Sequence, residues 1–229
     1  MVAVTLAVAA LTAVGFFADR LKGGLQRDAR QLLGGDAVVA SDNPIPEAFL
    51  AQARTLGLAR VQTLSFPTMA RATDAQGGQT KLVALKAVQA GYPLRGNLRV
   101  STAPDAPDLP TRDIPAPGQV WVESGLLESL GLHMGDTVML GDSALRIERI
   151  VVNEPDRGAG FMNFAPRVMV NQSDLAATGL IQPASRLSYR LAVAGPDQAV
   201  QAFVDWSQAQ ILARSVRGVR VEALQGGRP

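Results

Sequence analysis

Cysteine is absent from this 229-residue chain, histidine occurs once, and no block of like charge appears. The missing thiols exclude disulfide staples, thiolate metal sites and cysteine nucleophiles. A single imidazole, His133, cannot build a histidine cluster. The 22 basic and 20 acidic residues are interspersed, which removes the electrostatic footprint of a nucleic-acid binder. Aromatic residues are only 5% of the chain, so the core must come mainly from Ala, Val and Leu.

Ionisable side chains are missing altogether from Met1 to Ala18, and Asp19 and Arg20 then follow together. A helix of that length covers roughly 25 Å, just short of a ~30 Å hydrocarbon core. No basic segment precedes the run, and Phe16 and Phe17 interrupt the small residues near its end, so it lacks the flanks of a cleaved secretory signal. Leu21, Leu25 and Leu32 continue at roughly helical spacing. Residues 1–34 are therefore expected to be the end of a transmembrane helix running into a polar stalk, the alternative being a buried core helix or an uncleaved signal. About 195 residues remain, enough for one large domain or two small ones.

Those residues read as an α+β chain. Asp36 to Ala40 predicts a short buried strand, and Pro46 opens a helix whose apolar face is Phe49, Leu50, Ala53 and Leu56. Strands follow at 61–72 and 80–88, and residues 101–118 read as an exposed Pro-rich connection. A second unit starts at Gln119, with a strand at 120–122 and a short helix with Ser124 as N-cap. Strands at 137–140 and 144–152 complete it, the latter with Arg146 and Glu148 alternating with apolar residues. A loop from Glu154 to Phe164 precedes a strand at 167–170 and a short helix near 173–177. The last unit is a strand at 187–193, a helix buried through Val200, Phe203, Val204 and Ile211, and a strand at 219–224. The terminal units are expected to share one βαβ-rich sheet, with a different module inserted between them.

No catalytic or metal constellation emerges. Gly141-Asp142-Ser143 superficially resembles a lipase nucleophile block, but His133 lies upstream and no orienting acid accompanies it, so a hairpin turn explains it. Glu154, Asp156 and Asp174 fall in loops or at a helix start, where turn and capping roles account for them. Gly158 and Gly160 lack the third glycine and helix of a phosphate loop. Neither catalytic residue, cofactor nor metal is assigned. Less easily dismissed are Phe161, Met162 and Phe164, three large apolar side chains between Arg157 and Arg167 in a glycine-rich loop. They either fold back on the core or form an apolar patch that meets a partner protein or a lipid, with the two arginines keeping its rim soluble.

The stretch EPDRGAGFMNFAPRVMVNQSDLAATGLIQPASRLSYRL, Glu154 to Leu191, resembles the signature region of the YbbP-type branch of the FtsX/MacB-like ABC transporter permeases. TMARA (68–72), LVALKAV (82–88), GYPLRGNL (91–98) and GDTVMLGDSALRI resemble that family too. So does the post-membrane pattern through Asp19, Arg20, Gly24, Leu25, Arg30, Gly35 and Asp36. The resemblance implies a periplasmic core domain of an inner-membrane permease. Its parts would be a porter-like βαβ subdomain (35–100 and 186–229) and an inserted sabre-like mixed α/β subdomain (101–185). It implies a non-enzymatic role in which a separate cytoplasmic ABC ATPase hydrolyses ATP and this domain transmits the motion. A periplasmic esterase or thioesterase partner and a hydrophobic, lipid-like cargo are implied as well. The alternative is a membrane-anchored periplasmic hydrolase or lipid-binding protein acting alone.

Overall fold

A computed structural model describes residues 16–17, 20–21, 23–25, 28–157, 164–182, 185–214 and 218–223. Most of the apolar leader lies outside the described residues, and so do Phe161 and Met162. Among the described residues no helix is long and apolar enough to cross a membrane.

From Ala37 onward, strands and helices alternate among the described residues. The elements are β1 (Ala37–Ser41), α1 (Glu47–Thr55), β2 (Ala59–Ala72), β3 (Thr80–Val88), β4 (Leu98–Ser101), β5 (Leu109–Thr111) and β6 (Gln119–Val122). There follow α2 (Ser124–Leu130), β7 (Thr137–Leu140), β8 (Ser143–Asn153), β9 (Arg167–Asn171), β10 (Ser188–Ala194), α3 (Asp197–Arg214) and β11 (Val219–Ala223). The chain is therefore α+β.

At one end, β1 is the middle of an antiparallel group, hydrogen-bonded to β11 on one side and β10 on the other, and β10 continues onto β2. All five residues of β1 are buried. Helices α1 and α3 cover one face of this group, where Phe49, Ala53, Phe203 and Val204 pack with Val39, Leu191 and Val193. Phe49 meets Trp206 edge-on, with ring centroids 5.3 Å apart.

At the other end the sheet closes on itself. β2 pairs with β3, β3 with β9, β9 with β6, β6 with β8, β8 with β7, and β7 returns to β2 through Ala70 to Ala72. A closed barrel leaves no unpaired edge, so its inward row can be wholly apolar. Leu64, Phe66, Val83, Leu85, Val120, Val122, Val138, Leu140, Ile147 and Val168 form that interior. Leu126, Leu127 and Leu130 of α2 join the same core. β2 is long enough, at 14 residues, to serve both ends: its first half pairs with β10 and its last three residues with β7.

Three local readings need correction. Residues 101–118 are not merely a connection: β5 pairs with β4, which pairs with β8. Strands of three or four residues, one containing Pro110, carry too little periodicity to register before their partner is known. Ser124 is not the N-cap of α2; Glu123 is, and it makes no side-chain capping bond. The segment after β9 is a 3-10 helix, Gln172–Thr178, capped by Asn171, whose side chain accepts from the Ser173 amide.

Leu130, the last residue of α2, is fully buried in the core with the barrel strands. Leu130→Ala is expected to lower the unfolding free energy by about 2–5 kcal/mol, read by urea denaturation. A loss under about 1 kcal/mol would mean that α2 does not plug the barrel.

Candidate functional site: a buried charge network

Between the barrel wall and the chain that follows β8 lies a group of charged side chains almost cut off from water. Lys86 projects from near the end of β3, Arg167 opens β9, and Glu154 and Asp156 follow the end of β8. Their side chains are 2%, 6%, 0% and 5% exposed, respectively. An isolated buried charge is costly, so the arrangement persists only because every one is matched. Lys86 Nζ donates to Glu154 Oε1 at 2.5 Å, to both Asp156 oxygens at 2.9 Å and to the Tyr92 hydroxyl at 2.8 Å. That uses all three ammonium donors. Tyr92 in turn donates to Asp156. Arg167 Nε donates to Glu154 Oε2 at 2.7 Å, and its Nη1 reaches the Ala84 carbonyl at 3.4 Å. Two cations thus balance two carboxylates.

A second layer ties the network outward. Glu123 holds the Arg157 guanidinium through both oxygens, and its Oε2 also accepts from the Arg167 amide at 2.8 Å. Its carboxylate is committed there, which explains why it does not cap α2. Gly34 sits against Asp156 at φ +70°, and a Cβ added to it would lie 3.0 Å from the Asp156 Cβ. The Gly34 carbonyl accepts from the Leu94 and Arg95 amides at 3.1 and 3.2 Å.

Residues 28–33, the helical turns before Gly34, are clamped beside it. Asp36, with 1% of its side chain exposed, takes both Arg95 Nε at 2.9 Å and Nη2 at 2.6 Å. It also accepts from the Gly195 amide at 3.0 Å. Arg30 stands 3.8 Å from Asp36 and bonds Asp197, the first residue of α3, at 2.9 Å. The end of the leading helix is therefore fixed at once to the β3–β4 connection, to the turn after β10 and to the start of α3.

The electrostatics follow from the packing. Burial alone would push Glu154 up, but Lys86 and Arg167 outweigh it and hold the carboxyl down to about 2. Burial, reinforced by Asp156 and Glu154, raises the Tyr92 hydroxyl well above its usual value, so the phenol stays a neutral donor. Every ionisable side chain of the network is committed to another member of it.

The residues singled out from the sequence fall in different places. Glu154 and Asp156 are not solvated turn residues; they are the anions of this network. Arg167 is not at a soluble rim but 5% exposed inside it, and Arg157 lies at its margin, paired with Glu123. Phe164 is 87% exposed. The His133 side chain is 87% exposed, 3.6 Å from Asp136. Ser143 begins β8 after the Gly141-Asp142 turn, and Asp174 accepts from the Gly118 amide at 2.9 Å. No group of three His, Cys, Asp or Glu poised for a metal occurs among the described residues. Lys86 and Tyr92 were missed. The usable signal was a lysine within LVALKAV, whose neighbours on both faces are apolar.

Comparison with known proteins fits this geometry to a class. No family model matches the chain. The extracellular domain of the noncanonic ABC-type transporter YknZ from Gram-positive bacteria superposes with a TM-score of 0.51 at 10% identity, covering 81% of this chain and 99% of that one. The periplasmic region of MacB from Actinobacillus actinomycetemcomitans gives 0.49 at 9% identity, over 85% of this chain and 91% of that one. The fold is thus that of the YknZ extracellular domain. In sequence the chain is 34% identical over 209 residues, 91% of its length, to the uncharacterized ABC transporter permease YbbP of Escherichia coli K12. The chain is thus similar to a YbbP-type permease along nearly all of its own length, and it spans 24% of that relative's length.

Two outcomes test the network. Lys86→Met leaves two carboxylates buried against Tyr92 without their cation and is expected to cost about 3–5 kcal/mol of stability. Because the folded protein holds Glu154 below its unfolded value, the unfolded chain binds the extra proton at low pH. Stability should therefore fall as pH drops from about 4.3 towards about 2. The slope of unfolding free energy against pH in that window should be shallower in Glu154→Gln; an unchanged slope would refute the assignment.

Proposed function

We propose that this chain is the periplasmic part of an inner-membrane permease and carries motion, driven by a cytoplasmic ABC ATPase, from the membrane helices to a periplasmic client. The carrying observation is the clamp at Gly34. A helix entering from the membrane is joined there to α3, to the β3–β4 connection and, through Asp156, to the barrel. A push or twist on that helix would reach both ends of the domain without passing through a flexible linker. The division into a porter-like part (35–100 and 186–229) and a sabre-like insert (101–185) belongs to the same proposal, with β2 and β3 shared between them.

The chain itself performs no catalytic step in this reading. ATP hydrolysis belongs to the separate subunit, and any ester cleavage to a periplasmic esterase or thioesterase that acts on a lipid-like cargo. The loop with Phe161, Met162 and Phe164 is the proposed contact. Support comes from Phe164 at 87% exposure and from Met69 and Leu82, directly opposed on β2 and β3 and 48% and 46% exposed. Phe164 precedes Pro166, whose carbonyl accepts from the Ala84 amide, so the loop returns beside that exposed pair.

The decisive measurement is made in the full permease with its ATPase. Arg95→Ala, which removes the main partner of Asp36, should leave ATP hydrolysis within about threefold of wild type, while cargo handling falls by tenfold or more, about 1.4 kcal/mol of coupling. Equal loss of both activities, or of neither, would reject the coupling role. Separately, Phe161→Ser with Phe164→Ser should weaken partner binding with little loss of fold stability. A drop in the unfolding midpoint well over ~5 °C would mean these side chains are core.

A further inference from the structure

Beside the buried network the surface dips into a cavity of about 190 Å³ lined by Ser65, Lys86, Asp156, Arg157, Arg167, Arg186, Ser188 and Arg190, with Phe66 and Pro67. Five cationic groups face it against one carboxylate. The bookkeeping of partners decides what that means. Lys86 and Arg167 are spent on Glu154 and Asp156, and Arg157 on Glu123. Arg190 has only a loose contact with Glu222, at 3.7 Å, and Glu222 is engaged more closely by Arg220 at 3.0 Å. Arg186 is exposed and has no carboxylate partner among the described residues.

The sheet places these groups on one side. Ser188 and Arg190 lie at alternate positions of β10 and share a face, and Arg186, two residues before the strand, also lines the cavity. Ser188 is opposite Ser65 in the register, and Ser65 is opposite Lys86. A row Ser188–Ser65–Lys86 therefore crosses three strands, with Arg186 and Arg190 on either side of its β10 end. The two serine hydroxyls make no side-chain hydrogen bond among the described residues.

We propose that this cavity is a binding site for a phosphate group, held by the Arg186 and Arg190 guanidinium groups with the Ser65 and Ser188 hydroxyls as donors. Guanidinium forks match phosphate oxygens in pairs and bind them more strongly than neutral donors do. The buried Lys86 behind the row is balanced by Glu154 and Asp156, so the charge available to a ligand comes from Arg186 and Arg190. The cavity is smaller than the ~300–1,000 Å³ of pockets that enclose a whole small molecule. It fits a phosphate head whose remainder stays outside. That phosphate can arrive on a lipid or free in solution, and the experiment separates the two. The site is independent of the coupling role, which does not require it.

Inorganic phosphate is titrated into the 229-residue chain by calorimetry, and co-sedimentation is measured with phosphatidylglycerol vesicles and with phosphatidylcholine vesicles. Saturable phosphate binding is expected, weakened about tenfold or more by Arg186→Gln with Arg190→Gln, since two charge-assisted forks are lost. Arg112→Gln, whose side chain faces a different groove, should leave it unchanged. Arg186 is exposed, so Arg186→Gln alone should weaken phosphate binding while keeping its urea midpoint, and Arg186→Lys should bind with intermediate strength. Vesicle binding that phosphate competes away and the double variant loses would assign a lipid headgroup. Phosphate binding without vesicle binding would assign a soluble phosphate. Absence of saturable phosphate binding, or equal binding by wild type and the double variant, overturns the proposal.

Discussion

The rest of this structure depends on one ammonium group. Lys86 stands in the wall of the barrel, where a charge without partners would be intolerable, and its three donors reach a glutamate, an aspartate and a tyrosine. Those partners come from the end of β8 and from the β3–β4 connection. Satisfying the lysine therefore fixes where both segments run. The carboxylates pull in Arg167 at the head of β9, and Glu123 then gathers Arg157 and the Arg167 amide. A buried ionic group contributes little net stability compared with an apolar equivalent, and its usual contribution is specificity. Here the specificity is positional: it locks the chain around the point where the leading helix ends.

Much of the frame was legible from local pattern. Runs such as Thr80–Val88 and Thr137–Leu140 combine β-branched residues with Gly turns at their ends, and the structure places strands there. Phe203 and Val204 declared the buried side of α3 through helical spacing alone. β4 and β5 escaped because each is too short to show a period, and pairing with β8 rather than propensity makes them strands.

The charge network escaped for a different reason. Glu154 and Asp156 sit among Pro and Gly in a stretch with every mark of a solvated turn, and their counter-ion is 68 and 70 positions away. Nothing in a window of ten residues reports that distance. Burial of a charge is a property of the finished fold, so local rules assign such residues to the surface by default. Lys86 alone broke its local pattern, and a rule violated inside an apolar strand marks where tertiary structure imposes its own demand.

The placement of β1 has a consequence for how such a domain is made. Ala37–Ser41 is the first strand in the chain, yet both of its hydrogen-bonding edges are filled by strands that begin at Ser188 and Val219. During synthesis this buried strand must wait, open on both sides, until about 150–180 further residues, through β10 and β11, have emerged. Such late, long-range closure slows folding and exposes an edge to wrong partners. Until that closure, β1 depends on its surroundings to keep both of its edges unclaimed, so the folding of this end of the sheet is set by its last strands rather than its first.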